Sequence, residues 1–143
     1  LILIDTIPNS IAIAQAANET GWGTSRFAIN FNALYGQYTF DKSIGAIPNR
    51  RDEGEKYLIR SFPNLLDSVK AYIKNLNTNP AYREFRKLRF ELRDKGLDLD
   101  PQILVNKLDL YAKNKNYVFE IHSIISNNDL TKYDNLITIN LKS

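Results

Sequence analysis

The sequence predicts one mainly helical α+β domain: a helical bundle with a small β-hairpin lobe. Three observations carry this. The chain has 143 residues, a normal size for one compact domain with a single core. From about residue 65 to 127, apolar residues recur at the three-and-four spacing of helix faces. Between residues 37 and 62, Gly45, Pro48 and Gly54 punctuate a polar stretch that ends in the aromatic, β-branched run Tyr57 to Phe62.

In chain order, Pro8 to Thr20 reads as the first helix. Pro8 suits a first turn, and Asn9 or Ser10 can satisfy the free amides there. Its body, Ile11 to Ala17, is apolar all round and rich in small residues, the pattern of a buried helix. Gly21 and Gly23 end it. Residues 57 to 62 are expected as a strand, with a hairpin loop around Asn49 to Gly54. Leu65, Leu66, Val69, Tyr72, Ile73 and Leu76 form the next helical stripe. Asn79-Pro80 opens a helix carrying Tyr82, Phe85, Leu88 and Leu92, which Gly96 stops. Asp100-Pro101 repeats the cap-then-proline signature, with Ile103, Leu104, Leu108 and Tyr111 following. A last helix holds Tyr117, Val118, Ile121, Ile124 and Ile125, and alternation at 137, 139 and 141 suggests a short terminal strand.

Composition excludes several classes. Hydrophobic content of 43% and charged content of 24% are those of a folded globular domain. No apolar run approaches the roughly 18 to 20 residues that span a bilayer. Leu1 to Ile4 is too short for a signal-peptide core and lacks a basic region before it, so the chain reads as cut from a longer precursor. Cysteine is absent, which removes disulfides, thiol nucleophiles and thiolate metal sites. His122, the only histidine, lacks acidic companions at ligand spacing, so no metal or other cofactor is expected. Gly21 and Gly23 follow a helix and do not open one, so they form no phosphate loop. Arg83, Arg86, Lys87, Arg89 and Arg93 alternate with Glu84, Glu91 and Asp94. That pattern reads as a solvated face and not as a nucleic-acid surface. The net charge of +3 is mild and well mixed.

Glu19 stands out. A glutamate in an alanine-rich apolar helix is paired, at a solvent edge, or functional. It falls in the last turn, where the helix dipole disfavours a carboxylate. One turn back lie Gln15 and Ala16, which leave room for a ligand, and Trp22 is close enough in sequence to add an apolar wall. Desolvation and the dipole both raise a carboxyl pKa, as general-acid work near neutral pH requires.

The segment AQAANETGWGTSRFA, residues 14 to 28, resembles the signature of the bacterial glucosaminidases, glycoside hydrolase family 73, and is most like their Bax-like branch. The resemblance continues through NALYGQY (32 to 38), PNRRDEG (48 to 54), SVKAYIKNLNTNPAYREFR (68 to 86), LDLYAKNKNYVFEI (108 to 121) and NNDLTKYD (127 to 134), covering nearly the whole chain. It implies a lysozyme-like fold, with the β lobe flanking a glycan-binding cleft. It also implies hydrolysis of β-1,4 bonds after N-acetylglucosamine in peptidoglycan, with Glu19 as the general acid. The second catalytic group corresponds best to Glu53, flanked by Asp52 and Glu55, and the family tyrosine falls on Tyr111. Trp22, Asn32, Tyr35 and Tyr38 fall where the family shapes its sugar cleft. The second Asn of the family's Asn-Asn-Leu-Phe-Gly block is Ala33 here, its Phe is Tyr35, and Tyr38 replaces a Trp. Asn77 to Tyr82 is expected to fix a helix-helix corner.

The expected activity is thus an endo-β-N-acetylglucosaminidase acting on cell-wall glycan strands, inverting or assisted by the substrate's acetamido group. A monomer in the cell envelope, periplasmic or extracellular, is expected. The alternatives are a lytic transglycosylase and a non-catalytic glycan-binding module. The acidic loop at 52 to 55 favours hydrolysis over both.

Overall fold

The computed structural model describes residues 4–135. Its elements are α1 (Asn9–Thr20), α2 (Arg26–Phe31), β1 (Tyr38–Thr39), β2 (Gly45–Ala46), β3 (Leu58–Arg60), α3 (Leu65–Thr78), α4 (Arg83–Asp94), α5 (Pro101–Leu104) and α6 (Tyr117–Asn127). Short 3-10 turns fill Pro80–Tyr82, Val105–Lys107 and Leu130–Tyr133. The expected terminal strand at 136 to 141 lies outside the described residues.

α1 packs against α6 and the Leu130–Tyr133 turn. Around them Ile11, Leu76, Phe85, Leu104, Leu108 and Ile121 are fully buried, so the periodic stripes are the core. The start of α1 is held differently from expectation. Neither Asn9 nor Ser10 caps it with its own side chain. Asp134 does so instead, accepting from the Ser10 amide and hydroxyl at 2.7 Å each. A carboxylate from the far end of the described chain thus meets the positive end of the helix, which no local pattern reveals. At the other end, Gly21 adopts φ 55 and the Trp22 amide reaches the Ala17 carbonyl, a left-handed termination.

The β lobe is a three-stranded antiparallel sheet in the order β1-β3-β2, and not a simple hairpin. The expected strand is its centre. Tyr38 pairs with Ile59, and Gly45 pairs with Arg60. The outer strands are two residues long, too short to show any alternation. α2 also went unsignalled, having six residues, with Ser25 accepting from the Ala28 amide.

The Asp100 cap is present, with its carboxylate accepting from the Gln102 amide at 2.8 Å. The helix it opens is shorter than the stripe suggested, so Leu108 and Tyr111 lie beyond it in a turn. The basic face of α4 is not simply solvated. Arg86 and Arg89 are buried. Arg86 donates to the Leu76 and Asn79 carbonyls, and Arg89 to Asn77 Oδ1 and the Asp5 and Thr6 carbonyls. They satisfy orphan helix-end carbonyls and tie the first described residues to the bundle. Together with the Asn79 side chain, which accepts from the Ala81 amide, they build the corner at 77 to 82.

Candidate active site

A groove of about 1120 Å³ lies between the β lobe and the helices. Glu19 lies in its wall with Tyr35, Gly36, Tyr38 and Tyr111. The end of α1 delivers Glu19, the segment after α2 delivers residues 35 to 38, and the turn after α5 delivers Tyr111.

Glu19 faces open groove on one side, yet protein crowds its carboxyl on the other. An ideal Cβ built on Gly36 would stand 2.7 Å from Glu19 Oε2 and 3.3 Å from Cδ. Gly36 also holds φ +62. It is therefore glycine for two reasons, the left-handed backbone and the close approach of the carboxyl. Desolvation by this surrounding raises the Glu19 pKa from 4.5 to about 6.

Behind the carboxyl stands a cluster of tyrosines. Tyr35 stacks on Tyr72 at 3.9 Å, Tyr72 meets Tyr111 edge-on at 6.5 Å, and Tyr111 stacks on Tyr117 at 5.6 Å. Gln15, fully buried one turn before Glu19, joins them. Its amide donates to the Tyr117 hydroxyl at 2.8 Å, and its carbonyl accepts from the Tyr72 hydroxyl at 2.5 Å. Burial, the neighbouring Tyr117 and the Glu19 charge push the Tyr111 phenol well above its ordinary pKa. The hydroxyl thus stays protonated and donates to the Tyr35 carbonyl at 2.9 Å.

The structure brings Glu19, Tyr35, Tyr38 and Tyr111 to one groove. Tyr35 lines the groove as a buried residue, and Tyr38 is exposed with its ring 4.4 Å from that of Tyr57. Three other candidates lie elsewhere. Glu53 is exposed on the loop before β3 and does not line the groove, and the same holds for Asp52 and Glu55. Trp22 forms no wall beside Glu19. Its left-handed backbone at φ 59 turns it into a separate shallow hollow with Ala12, Ile13, Ala16 and Val69. Asn32 ends α2 at φ 52 and donates its side-chain amide to the Phe62 carbonyl at 3.0 Å, tying α2 to the strand segment. Gly36 and Gln15 were not singled out as site-builders. No local pattern marks Gly36, since the helix before it leaves no signal and the contact that requires a glycine comes from Glu19. His122 sits in a polar contact with Gln102 and Asn106, and no cluster suited to a metal ion occurs among the described residues.

Comparison with known proteins bears on the family and the fold. The family model described as mannosyl-glycoprotein endo-beta-N-acetylglucosaminidase matches residues 4–130. The protein Bax of Escherichia coli (strain K12) is 38% identical over 115 residues, which are 80% of this chain and 40% of that protein. The chain thus spans well under half of that relative. A crystal structure described as N-acetylmuramoyl-L-alanine amidase from Staphylococcus aureus superposes with TM-score 0.69 at 26% identity, covering 92% of this chain and 38% of that one. The mostly helical fold with its small antiparallel sheet is lysozyme-like. With its signature carried on the end of α1 and its match running over nearly all the described residues, the chain belongs to the glucosaminidase family, glycoside hydrolase family 73.

Proposed function

We propose that this domain is a peptidoglycan hydrolase of the cell envelope, an endo-β-N-acetylglucosaminidase in which Glu19 is the general acid. The observation that carries the reading is the Glu19 carboxyl, its pKa raised to about 6, at the end of a buried helix and on the wall of an open groove. Such a group is protonated often enough near neutral pH to give its proton to a leaving glycosidic oxygen. Among the described residues, the groove's other carboxylate is Asp67, which is occupied at the start of α3 by the Asn64 amide at 3.1 Å.

The opposite face of the sugar needs a second group. The 2-acetamido oxygen of N-acetylglucosamine can supply it. That oxygen attacks C1 as Glu19 protonates the departing oxygen, giving a cyclic oxazolinium ion. Water then opens the ring and returns its proton to Glu19. That Glu53 is not among the residues lining the groove favours this route over direct activation of water by Glu53, which would require the loop to swing inward. Tyr111 is proposed to hold the acetamido group: its proton is given to Tyr35, and its oxygen remains free to accept the sugar N–H. Tyr38 offers its ring face to a sugar.

The test is mass spectrometry of purified cell walls digested by the wild type and Glu19→Gln. The wild type is expected to release strands with N-acetylglucosamine at the new reducing ends. The variant keeps the fold and loses about a hundred- to ten-thousand-fold of the rate. Anhydro-muramic ends would move the domain to the lytic transglycosylases, and a fully active Glu19→Gln would remove Glu19 as the acid.

A further inference from the structure

We propose that the groove selects glycan strands by the carboxylates of their muramoyl substituents, reading them with Lys70 and Lys74 of α3, supported by Arg60 and Lys113. The inference rests on the peptidoglycan-hydrolase reading and adds a basis for substrate choice within it.

The groove extends from Glu19 along α3, where Lys70 and Lys74 line it together with Asn75 and Thr78. The two lysines are four residues apart and so lie on one helix face. Arg60, at the end of β3, and Lys113, two residues after Tyr111, line the same groove. All four are solvent-exposed. Against them stand two lining carboxylates, Glu19 and Asp67.

None of the four cations has a carboxylate within ion-pair distance among the described residues, where the ion pairs found all join Asp5 to Arg89 and Arg93. Like charges one turn apart repel on a helix, and Asp67, three residues before Lys70, offsets this only in part because it forms no ion pair with either lysine. Arg60 is held in place, with its guanidinium 4.7 Å over the Phe62 ring. A groove in which cations outnumber carboxylates, as four do two here, concentrates ligands of negative charge.

A polymer of N-acetylglucosamine alone is neutral and gains nothing from this charge. A peptidoglycan strand is different, because each muramic residue carries a lactyl group that ends either in a carboxylate or in a stem peptide with carboxylates of its own. With Glu19 holding the scissile bond, substituents on neighbouring muramic residues would run along α3 past Lys70 and Lys74. Both sources present the same chemistry, an exposed carboxylate on a flexible arm.

The experiment uses four substrates: peptide-bearing strands and peptide-stripped strands, each before and after conversion of its carboxylates to amides with carbodiimide and ammonia. Initial rates at low substrate give kcat/KM for the wild type, Lys70→Gln/Lys74→Gln and Arg60→Gln, at about 50 mM and about 500 mM salt. Amidation is expected to lower wild-type kcat/KM about tenfold at low salt, mainly through KM, and much less at high salt, where exposed charges are screened. In the double lysine variant the ratio between charged and amidated strands should fall toward one. Arg60→Gln should reduce it partly. A penalty confined to the peptide-bearing strands assigns the stem peptide, and one confined to the stripped strands assigns the lactyl carboxylate. Equal rates on charged and amidated strands, or a double variant that keeps the full ratio, overturn the inference while leaving the glycosidase reading intact. No sugar release from any of the four substrates overturns both.

Discussion

The carboxyl of Glu19 and the backbone of Gly36 share a space in which even a methyl group does not fit. A Cβ at residue 36 would meet Oε2 at 2.7 Å on a backbone already at φ +62. Gly36→Ala therefore carries two effects. The left-handed backbone costs roughly 1 to 2 kcal/mol of stability, and the methyl displaces the carboxyl, since the end of a flexible side chain yields before backbone does. Gly96, at φ +67 with nothing near its ideal Cβ, has the backbone effect alone. Gly36→Ala should lose at least tenfold in kcat, while Gly96→Ala is equally destabilised and retains activity. Equal activity of the two variants would show that the carboxyl does not depend on this contact. The raised pKa makes a second prediction. A carboxyl whose folded pKa is about 6 instead of 4.5 must be protonated to act as an acid, so kcat/KM should fall as pH rises through about 6. Linkage has the same direction. The stability associated with the neutral carboxyl is present below pH 4.5 and is lost as pH rises through about 6, so the Tm advantage of Glu19→Gln over the wild type should grow across that window and then level off. A rate profile flat from pH 5 to 7.5 would contradict the assignment. Glu19 was legible in the sequence because a charge interrupts an apolar run. Gly36 was not, because its constraint comes from a side chain 17 residues earlier in the chain.

At the scale of elements, α1 is the part on which the site depends, and residues distant in sequence anchor its start and its middle. Asp134 binds its start, and Gln15, buried in its centre, links the hydroxyls of Tyr72 on α3 and Tyr117 on α6. Tyr72→Phe keeps the ring stacked on Tyr35 and leaves the Gln15 carbonyl buried without its donor, which should cost about 1 to 3 kcal/mol. Thermal unfolding measures this directly. A loss well under 1 kcal/mol would mean that water reaches Gln15 Oε1. Rate loss should be smaller than for Gly36→Ala, because α1 keeps Asp134 at its start and the bond from Gln15 to the Tyr117 hydroxyl. This network also marks where reading the sequence stops. Helix spacing identified α3, α4 and α6 because each repeats an apolar residue every three or four positions over two to three turns, and α1 was legible from its unbroken apolar run between Pro8 and Gly21. It failed for α2 and the outer strands, which are shorter than the repeat that would reveal them. It also misjudged Arg86 and Arg89, whose charge suggested solvent. Their positions beside Phe85 and Leu92 placed them on the packed face, where guanidinium groups find backbone carbonyls.

At the scale of the molecule, the helical base holds Glu19 while the three-stranded lobe forms the opposing wall, and the two parts differ in how firmly they are built. The base shares one buried core. The lobe has strands of two or three residues, and its loop from 47 to 57 is mostly exposed. Within that loop, Glu55 donates its amide to the Asp52 carbonyl and Arg51 reaches the Tyr57 carbonyl, contacts made within the loop itself. A segment with few buried apolar contacts opens at little cost, so the lobe is the part able to move toward a bound strand. Glu53 would then approach the sugar only in the closed state, and the acetamido group is already present in every state. Glu53→Ala should therefore cost less activity than Glu19→Gln, by about one to two orders of magnitude. Asp52→Ala and Glu55→Ala should cost less still, since they flank the residue that resemblance selects. The four variants are compared on one cell-wall preparation. If Asp52 or Glu55 proves more sensitive than Glu53, the loop carries its functional carboxylate at a different position from the one resemblance assigns. If all three alanine variants keep full activity, the substrate's acetamido group alone serves the face opposite Glu19. If Glu53→Ala is as damaging as Glu19→Gln, the lobe must close on every turnover, and the acetamido route is wrong.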